Sequence, residues 1–487
     1  MSRPVTTIGY DSGYLNGVLG SKEFVHRYGE MDIESGDRYL TPWTRSVFTS
    51  LLIVGTILGC ILSAVLSDRI GRRGSLFLAA VSYTIGVALQ TSGLPATAFI
   101  IGRVLLGNAI GIISNVVPIY LMDCSSETNR GRLMAMYLQF LTSGNVLACG
   151  ISLGTSQYTD SRGWRVTIGF QLLFGILIGI GACSCPESPA VLVKWGKLDL
   201  AKKSFSILKN QPIEGSEVQA AVTDLQISLD EEQANGDVSF LECFKGTNLR
   251  RTLLGLAMAF FTIATGITFW FGYGTTFFMA TDVTNPYLIS LVLAITNCVF
   301  TAPSIYLIEK LGRRDCLLWG GAIMALTQLL TGIIHSASPS STASRNMLVA
   351  GAVIFIAAYA PTWGVGGWVI MTEPYSNRLR VYQTAIVMAC YWTIQWLVGF
   401  VTPYMVDATA GNLGVNVAYI WFGTGVVSVI WAYFYVPELA GLSILDVDTL
   451  FEEGVPARRS KAWGRQRIVI ESTEHDVKDD SGMNTKM

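Results

Sequence analysis

Three short charged signatures occur twice in this chain, in the same order, and every copy sits at the edge of an apolar run. Asp68-Arg-Ile-Gly-Arg-Arg73 returns as Glu309-Lys-Leu-Gly-Arg-Arg314. Asp123, six residues and Arg130 return as Glu373, six residues and Arg380, and Pro186-Glu187 returns as Pro437-Glu438. The copies lie 241, 250 and 251 residues apart, so the chain reads as two related halves in tandem. A soluble domain has no use for charges confined to the ends of apolar runs. A membrane protein that rocks two similar bundles about a central site does.

A length of 487 residues would by itself suggest two or three soluble domains. Composition overrides that: 51% of residues are hydrophobic, 14% are charged, and mean hydropathy is +0.44. The net charge of -1 implies no attraction to nucleic acid. The nine cysteines have no CxxC spacing and lie mostly in apolar runs, which indicates neither a disulfide framework nor a zinc site. His26, His335 and His475 fall outside the membrane interior, removing a His proton relay and a His-rich metal site. No nucleophile–base set or phosphate loop appears, so neither an enzyme nor a cofactor is expected.

Hydropathy marks eleven membrane-length helices, at about 47–66, 74–94, 97–121, 133–153, 164–183, 253–278, 286–308, 317–335, 347–371, 383–405 and 415–436. A twelfth, at about 5–21, is weak. The expected class is an all-α membrane protein of two six-helix bundles: 1–184, a cytosolic linker with helical patterning over 185–250, then 251–440. A tail over 441–487 follows, charged and disordered from about 453. The loops carrying the repeated motifs hold Arg69, Arg72, Arg73, Arg130, Arg132, Lys310, Arg313, Arg314, Arg378 and Arg380. The opposite loops hold only Arg27, Arg38, Arg162 and Arg345. Positive-inside logic places the motif loops, the linker and both termini in the cytosol, with the plasma membrane the expected location.

Several further motifs accompany these: Gly9-Tyr-Asp-Ser-Gly-Tyr14, Gly102-Arg103, Pro118-x-Tyr120, Arg130-Gly131 and Pro186-Glu-Ser-Pro189. Gly274-Thr-Thr-Phe-Phe278, Trp363-Gly364, Trp368 and Thr402-Pro-Tyr404 complete the set. The ordered set resembles the sugar-porter family of the major facilitator superfamily, most closely its fungal members, over nearly the whole chain. The resemblance implies the major facilitator fold. It also implies a cytosolic gate of inter-helix salt bridges that break when the cavity opens inward. Candidate members are Asp68, Arg72, Asp123, Arg130, Glu187, Glu309, Arg313, Glu373, Arg380 and Glu438. Two departures touch this network: Ala190 replaces the Arg after the first Pro-Glu-Ser-Pro, and Leu439-Ala440 replaces Thr-Lys after the second Pro-Glu.

Asp11 and Arg103 lie within apolar runs, where ionisable side chains are rare and usually paired. In proton-coupled members of the family the matching acid takes up the proton and the matching Arg tunes it. Uncoupled facilitators also keep this Asp, so proton symport and a fixed ion pair both remain open. For the central site the resemblance implies amides that chelate vicinal hydroxyls and indoles that stack on C–H faces. Asn297, Trp368 and Trp392 match such positions, and Gln395 replaces an Asn. Leu138 stands where the family has Gln, with Gln139 beside it. Thr262, Ile263 and Thr268 replace further amides, and Tyr391 replaces an Asn. Three lost hydrogen bonds of about 0.5–1.5 kcal/mol each would weaken hexose binding by roughly one to three orders of magnitude.

The expected function is alternating-access transport of a sugar or related polyhydroxylated solute, with proton and bilayer as the other partners. The alternatives are a sugar sensor that does not transport, or a carrier of a less polar solute such as a cyclic polyol acid. Only eight residues precede Gly9, and a first helix beginning almost at Asp11 is expected to be truncated, through a late annotated start or a true loss.

Overall fold

The computed structural model describes residues 3–467 apart from 20, 32–37, 125–129, 156, 159, 235–239, 274–285, 339–340, 377, 407–410, 412 and 443. Helix dominates, as apolar spans require in a medium that cannot satisfy free backbone groups. The first half comprises α1 (Arg3–Leu19), α2 (Lys22–Tyr28), α3 (Pro42–Arg69), α4 (Gly71–Thr91), α5 (Ala96–Cys124), α6 (Arg130–Thr155), α7 (Arg162–Gly169) and α8 (Gln171–Ser184). Between the halves lie α9 (Pro189–Lys194), α10 (Leu198–Lys209), α11 (Ser216–Ala234) and a 3-10 turn, Phe240–Phe244. The second half comprises α12 (Gly246–Ala264), α13 (Pro286–Thr301), α14 (Ser304–Lys310), α15 (Arg313–Ala337), α16 (Thr342–Tyr359), α17 (Val365–Ile370), α18 (Arg380–Val406) and α19 (Val417–Tyr435). α20 (Ile444–Glu452) and α21 (457–467) close the described chain.

The long helices are turned inside out relative to those of a soluble bundle. α3 exposes Val54, Leu58, Ile61, Leu62 and Val65 and buries Thr56, Cys60, Ser63 and Ser67. That pattern is stable only where lipid covers the outer face. Within the first half α3 and α4 pack on α5, α1 on α6, and α4 on α8. In the second, α15 packs on α19 and α16, and α12 on α18. The halves meet along two seams, α3 against α18 and α6 against α13.

Small residues bring these helices together. A Cβ on Gly55 or Gly59 of α3 would run into the Val104 or Asn108 carbonyl of α5. Reciprocally, a Cβ on Gly107 or Gly111 would strike Leu52 or Thr56 of α3. Two G-x-x-x-G stripes thus face each other at backbone contact, where dispersion replaces the absent hydrophobic drive.

Several sequence expectations change. α1 begins at Arg3, not near Asp11, because the eight residues before the acid are themselves helical. Its 17 residues cover about 26 Å at 1.5 Å each, roughly a turn short of a 30 Å core. Among the described residues, nine helices are long and apolar enough to cross a membrane, ten if the bent pair α13–α14 (44°) counts once. The shortfall from twelve has local causes. α1 is short, and α12 ends two residues before Gly266, whose φ of +93° interrupts the span. The expected disordered tail is helical through 467: α21 docks through Ser460, Lys461 and Gly464, which packs on Leu442. Residues 468–487, the whole Gly274–Phe278 motif within 274–285, and the side chain of Arg130 lie outside the described residues.

Replacing Gly59 with Leu should abolish monodisperse folded protein in detergent, because Asn108's backbone cannot retreat. Gly150→Leu, at a site with open space around it, should leave the yield unchanged. Size-exclusion profiles of the two variants decide the point.

Candidate functional site

The repeated motifs gather at one end of the bundle and build the same station twice. Gly71 and Gly312 take φ of +79° and +92°, turning the chain between successive helices. The next residues open α4 and α15, whose first N–H groups have no intrahelical partner. Glu187 accepts from the backbone N–H of Arg72 (2.9 Å), Arg73 (3.2 Å) and Ser188 (3.0 Å). Glu438 accepts from those of Arg313 (2.9 Å), Arg314 (3.1 Å) and Ala440 (3.1 Å). Among the described residues these two acids, expected from the sequence to join guanidinium salt bridges, each cap a helix N-terminus, where a carboxylate also meets the positive end of the helix dipole. A Cβ on either glycine would occupy the carboxylate's place.

The paired arginines divide their work in the same way in both halves. Arg73 donates from Nε and Nη2 to the Ala182 and Cys183 carbonyls at the end of α8 (2.8 and 2.7 Å). Arg314 does so to Tyr433 at the end of α19 (2.7 Å). Arg72 meets Asp123 (3.3 Å) and Arg313 meets Glu373 (3.2 Å), all four side chains being at most a tenth exposed. Ser188 donates to Asp123 at 2.7 Å. The equivalent residue 251 positions on is Leu439, and the Glu373 Oε2 atom is buried without a hydrogen-bond partner among the described residues. The departure noted in the sequence thus leaves the second station one hydrogen bond short. Outer helices brace both: Ser204 of α10 donates to the Glu187 carbonyl (2.6 Å), and Ser460 of α21 accepts from the Glu438 N–H (2.8 Å).

Two contacts cross between the halves at this end. Glu309, closing α14, pairs with Arg132 of α6 at 2.6 Å. Asp68, near the end of α3, accepts from the Tyr382 hydroxyl of α18 at 3.2 Å. These are equivalent contacts, since Tyr382 lies 250 residues after Arg132 and Glu309 lies 241 after Asp68. Sequence reading missed both partners. Arg132 counted only as a topology charge, and a tyrosine two residues beyond Arg380 carried no signal until the repeat offset was applied to it. Arg380 is 5% exposed and donates to the Tyr375 carbonyl of its own half at 3.3 Å. Asp68 also meets Lys194 of α9 at 3.2 Å, tying the linker to the seam.

Deeper in the first half, Arg103 Nη1 lies 3.2 Å from Asp11 Oδ1, with the side chains 2% and 4% exposed. Arg103 also donates to the Phe48 carbonyl and the Tyr14 hydroxyl, both at 2.9 Å. A buried cation with three acceptors remains solvated when one of them changes.

At mid-height an aromatic series crosses from half to half. Tyr137 of α6 lies 5.9 Å from Trp368 of α17, which lies 5.4 Å from Tyr391 of α18, itself 5.6 Å from Trp392. Buried polar atoms without partners among the described residues collect on the same helices: Tyr137 Oη and Gln139 Oε1 on α6, Trp392 Nε1 and Trp396 Nε1 on α18. Such atoms are uncommon in a settled core and call for a partner. The Gln139 amide is taken up across the seam, its Nε2 donating to the Cys298 carbonyl (3.2 Å) and sulfur (3.1 Å). Asn297, Thr268 and Gln395 are partly exposed. Thr262 is buried, and its hydroxyl is spent on the Met258 carbonyl of its own helix (2.8 Å).

Two related helical halves, joined at one end by cross-half contacts and sharing an aromatic series that runs from one to the other, define a carrier of the major facilitator type. The sugar (and other) transporter family matches residues 3–451. The chain belongs to that family and is a multi-pass membrane protein, not an enzyme. It is 33% identical to the high glucose sensor RGT2 of Saccharomyces cerevisiae over 94% of this chain, and spans 60% of that sensor's length. It is 31% identical to the low-affinity glucose transporter HXT4 of the same species, over 93% of this chain and 80% of that one. Its fold superposes on the proton:xylose symporter XylE bound to 6-bromo-6-deoxy-D-glucose with a TM-score of 0.80, at 22% identity over 92% of this chain and 97% of that one.

The capping geometry gives a sharp expectation. Glu187→Gln and Glu438→Gln keep an acceptor for the helix amides and should lose little thermal stability. The Ala variants strand those N–H groups, at about 1–3 kcal/mol, and should melt several degrees lower. Equal damage from Gln and Ala would return both acids to the salt-bridge role.

Proposed function

We propose that this protein carries a small polyhydroxylated solute across the plasma membrane by alternating access, with uptake coupled to protons through Asp11 and Arg103. The observation that carries this reading is the matched pair of cross-half contacts, Arg132–Glu309 and Asp68–Tyr382, at the end opposite to nothing but weakly basic loops. The Lys/Arg bias supports a cytosolic motif end, with both termini and the linker over 185–250 on that side. On this reading the two contacts are the latch that must break for the solute to leave inward. The stations of Arg72, Asp123, Glu187, Arg313, Glu373, Arg380 and Glu438 keep each half rigid while it moves, and Arg130 belongs beside them by its place in the repeat.

The Arg132–Glu309 pair, half exposed on the arginine side, is screened there and worth about 1 kcal/mol. Its loss should therefore shift the balance of open and closed states by about two- to fivefold rather than abolish transport. Arg132→Ala should raise labelling of a cysteine placed at the motif end by that factor, and Arg132→Glu with Glu309→Arg should restore the original rate. An additive double variant would remove the latch from the mechanism.

For the solute, the candidate ligands on this reading are Gln139 of the first half and Thr268, Asn297, Trp368, Trp392 and Gln395 of the second, while the Thr262 hydroxyl is spent on its own helix. Indole faces and a few scattered hydrogen-bonding atoms suit a ring with one apolar face. The kinship with HXT4 supports a hexose, and the buried Leu138 and Ile263 favour a less polar ring such as a cyclic polyol acid. The kinship with RGT2 supports a second reading, a receptor that binds without carrying. Uptake of sugars, polyols and cyclic acids into liposomes holding the purified protein separates these. In the same vesicles Asp11→Asn should lose accumulation against a gradient while keeping solute exchange. Accumulation that persists in Asp11→Asn rules out coupling through this acid.

A further inference from the structure

We propose that Tyr14 is the positioning residue of the Asp11–Arg103 pair, its hydroxyl holding the guanidinium while the carboxylate is neutral. This rests on the coupling role proposed for Asp11. Tyr14 lies one helical turn after Asp11 on α1, is fully buried, and stacks on Tyr10 with ring centres 5.8 Å apart. Its oxygen accepts from Arg103 Nη1 at 2.9 Å, closer than the 3.2 Å from that same nitrogen to Asp11. Its single proton has two destinations, the Gln90 Oε1 atom of α4 at 3.3 Å and the Asp11 carboxylate within hydrogen-bonding reach.

The surroundings offer Arg103 little else. Tyr10 on α1 and Tyr83 on α4 are the other titratable groups near the acid. Tyr83 donates to Gln171 of α8 at 3.0 Å, and the Gln171 amide lies within hydrogen-bonding reach of Tyr14 as well. α3 contributes the Phe48 carbonyl, and α6 faces this stretch of α1 with neutral Asn145, which accepts from the Cys149 thiol. When Asp11 takes up a proton, Arg103 Nη1 would lose its anion in a dry interior, a severe penalty for an uncompensated cation. Tyr14 removes most of that penalty. It keeps its oxygen on Arg103 and keeps its own O–H directed at the Gln90 amide oxygen, so the neutral acid is tolerated without any movement of the helices.

In Tyr14→Phe, Nη1 has only Asp11, and the ionised pair is favoured over the loaded acid. The lost contact from Tyr14 to the carboxylate acts in the opposite sense. It is the lesser effect, because the carboxylate keeps its ion pair while the guanidinium keeps nothing at that nitrogen.

The test needs no solute: thermal unfolding of the detergent-purified full chain across pH, for the wild type, Asp11→Asn, Tyr14→Phe and Tyr83→Phe. The step in the profile that Asp11→Asn removes should move to lower pH by about half a unit or more in Tyr14→Phe and stay in place in Tyr83→Phe. A step unmoved or moved to higher pH in Tyr14→Phe, or moved equally in Tyr83→Phe, overturns the role of Tyr14 alone. A profile that Asp11→Asn does not change overturns both this role and proton loading at Asp11.

Discussion

A helix that starts at the edge of a membrane must find acceptors for its first N–H groups, and in each half of this protein one glutamate meets that need. Glu187 and Glu438 each gather three backbone N–H groups, two of them at the start of α4 or α15. Much else follows from those bonds. The carboxylate fills the space beside Gly71 or Gly312, so any other residue there would displace it. The cap fixes the direction of the helix, which points the first arginine at Asp123 or Glu373 and the second at the last carbonyls of α8 or α19. Four chain segments of each half are thereby fastened into one body, and a half built this way can turn as a unit.

The cross-half contacts are of a different kind. Arg132 is about half exposed, and the Asp68–Tyr382 bond joins a partly buried acid to a neutral hydroxyl. Weak contacts suit a place that must open and close, since two conformations of comparable population need a gap of only a few kcal/mol. The desolvated ion pairs lie inside each half, and at the motif end the contacts between the halves are the more exposed ones. That ordering is what alternating access requires of a latch.

The sequence made the duplication, the helical spans and the stations' members legible, because each rests on periodicity, composition or a repeated spacing. What it could not convey was the partner of each charge. A glutamate looks the same in a chain whether it meets a guanidinium or a backbone amide, and backbone amides leave no letter. Arg132 and Tyr382 were hidden because one looks like a topology charge and the other is neutral. Tyr14 was hidden inside the motif it belongs to, where only the three-dimensional fold brings it against Arg103. α21 was misread because its Arg and Lys content resembles a solvated tail, although Lys461 and Ser460 are held by the second station. At the centre, the types of residue were legible, but the seam bond from Gln139 to Cys298 was not.

That bond bears on how two similar halves come to do different things. Moving each partner by its repeat offset gives Ile57 for Cys298 and Ala389 for Gln139, so the second seam has no equivalent. Arg103, shifted by 250, falls on Val353, and at that offset the aromatic residues Trp368, Tyr391 and Trp392 have no aromatic counterparts in the first half. The parts that alternate are duplicated, because the same rigid rotation must serve both. The parts that bind are not, and on the proposed reading the first half holds the proton while the second offers its aromatic face to the solute. Coupling then has to pass where the halves touch at mid-height, through Gln139 to Cys298 on one side and Tyr137 to Trp368 on the other. Both routes leave from α6, which packs directly on α1 and therefore moves with Asp11. A further path runs through α5, which carries Arg103 and touches both α1 and α18, so on the proposed reading the packing of α5 and α6 together sets how tightly the two events are linked.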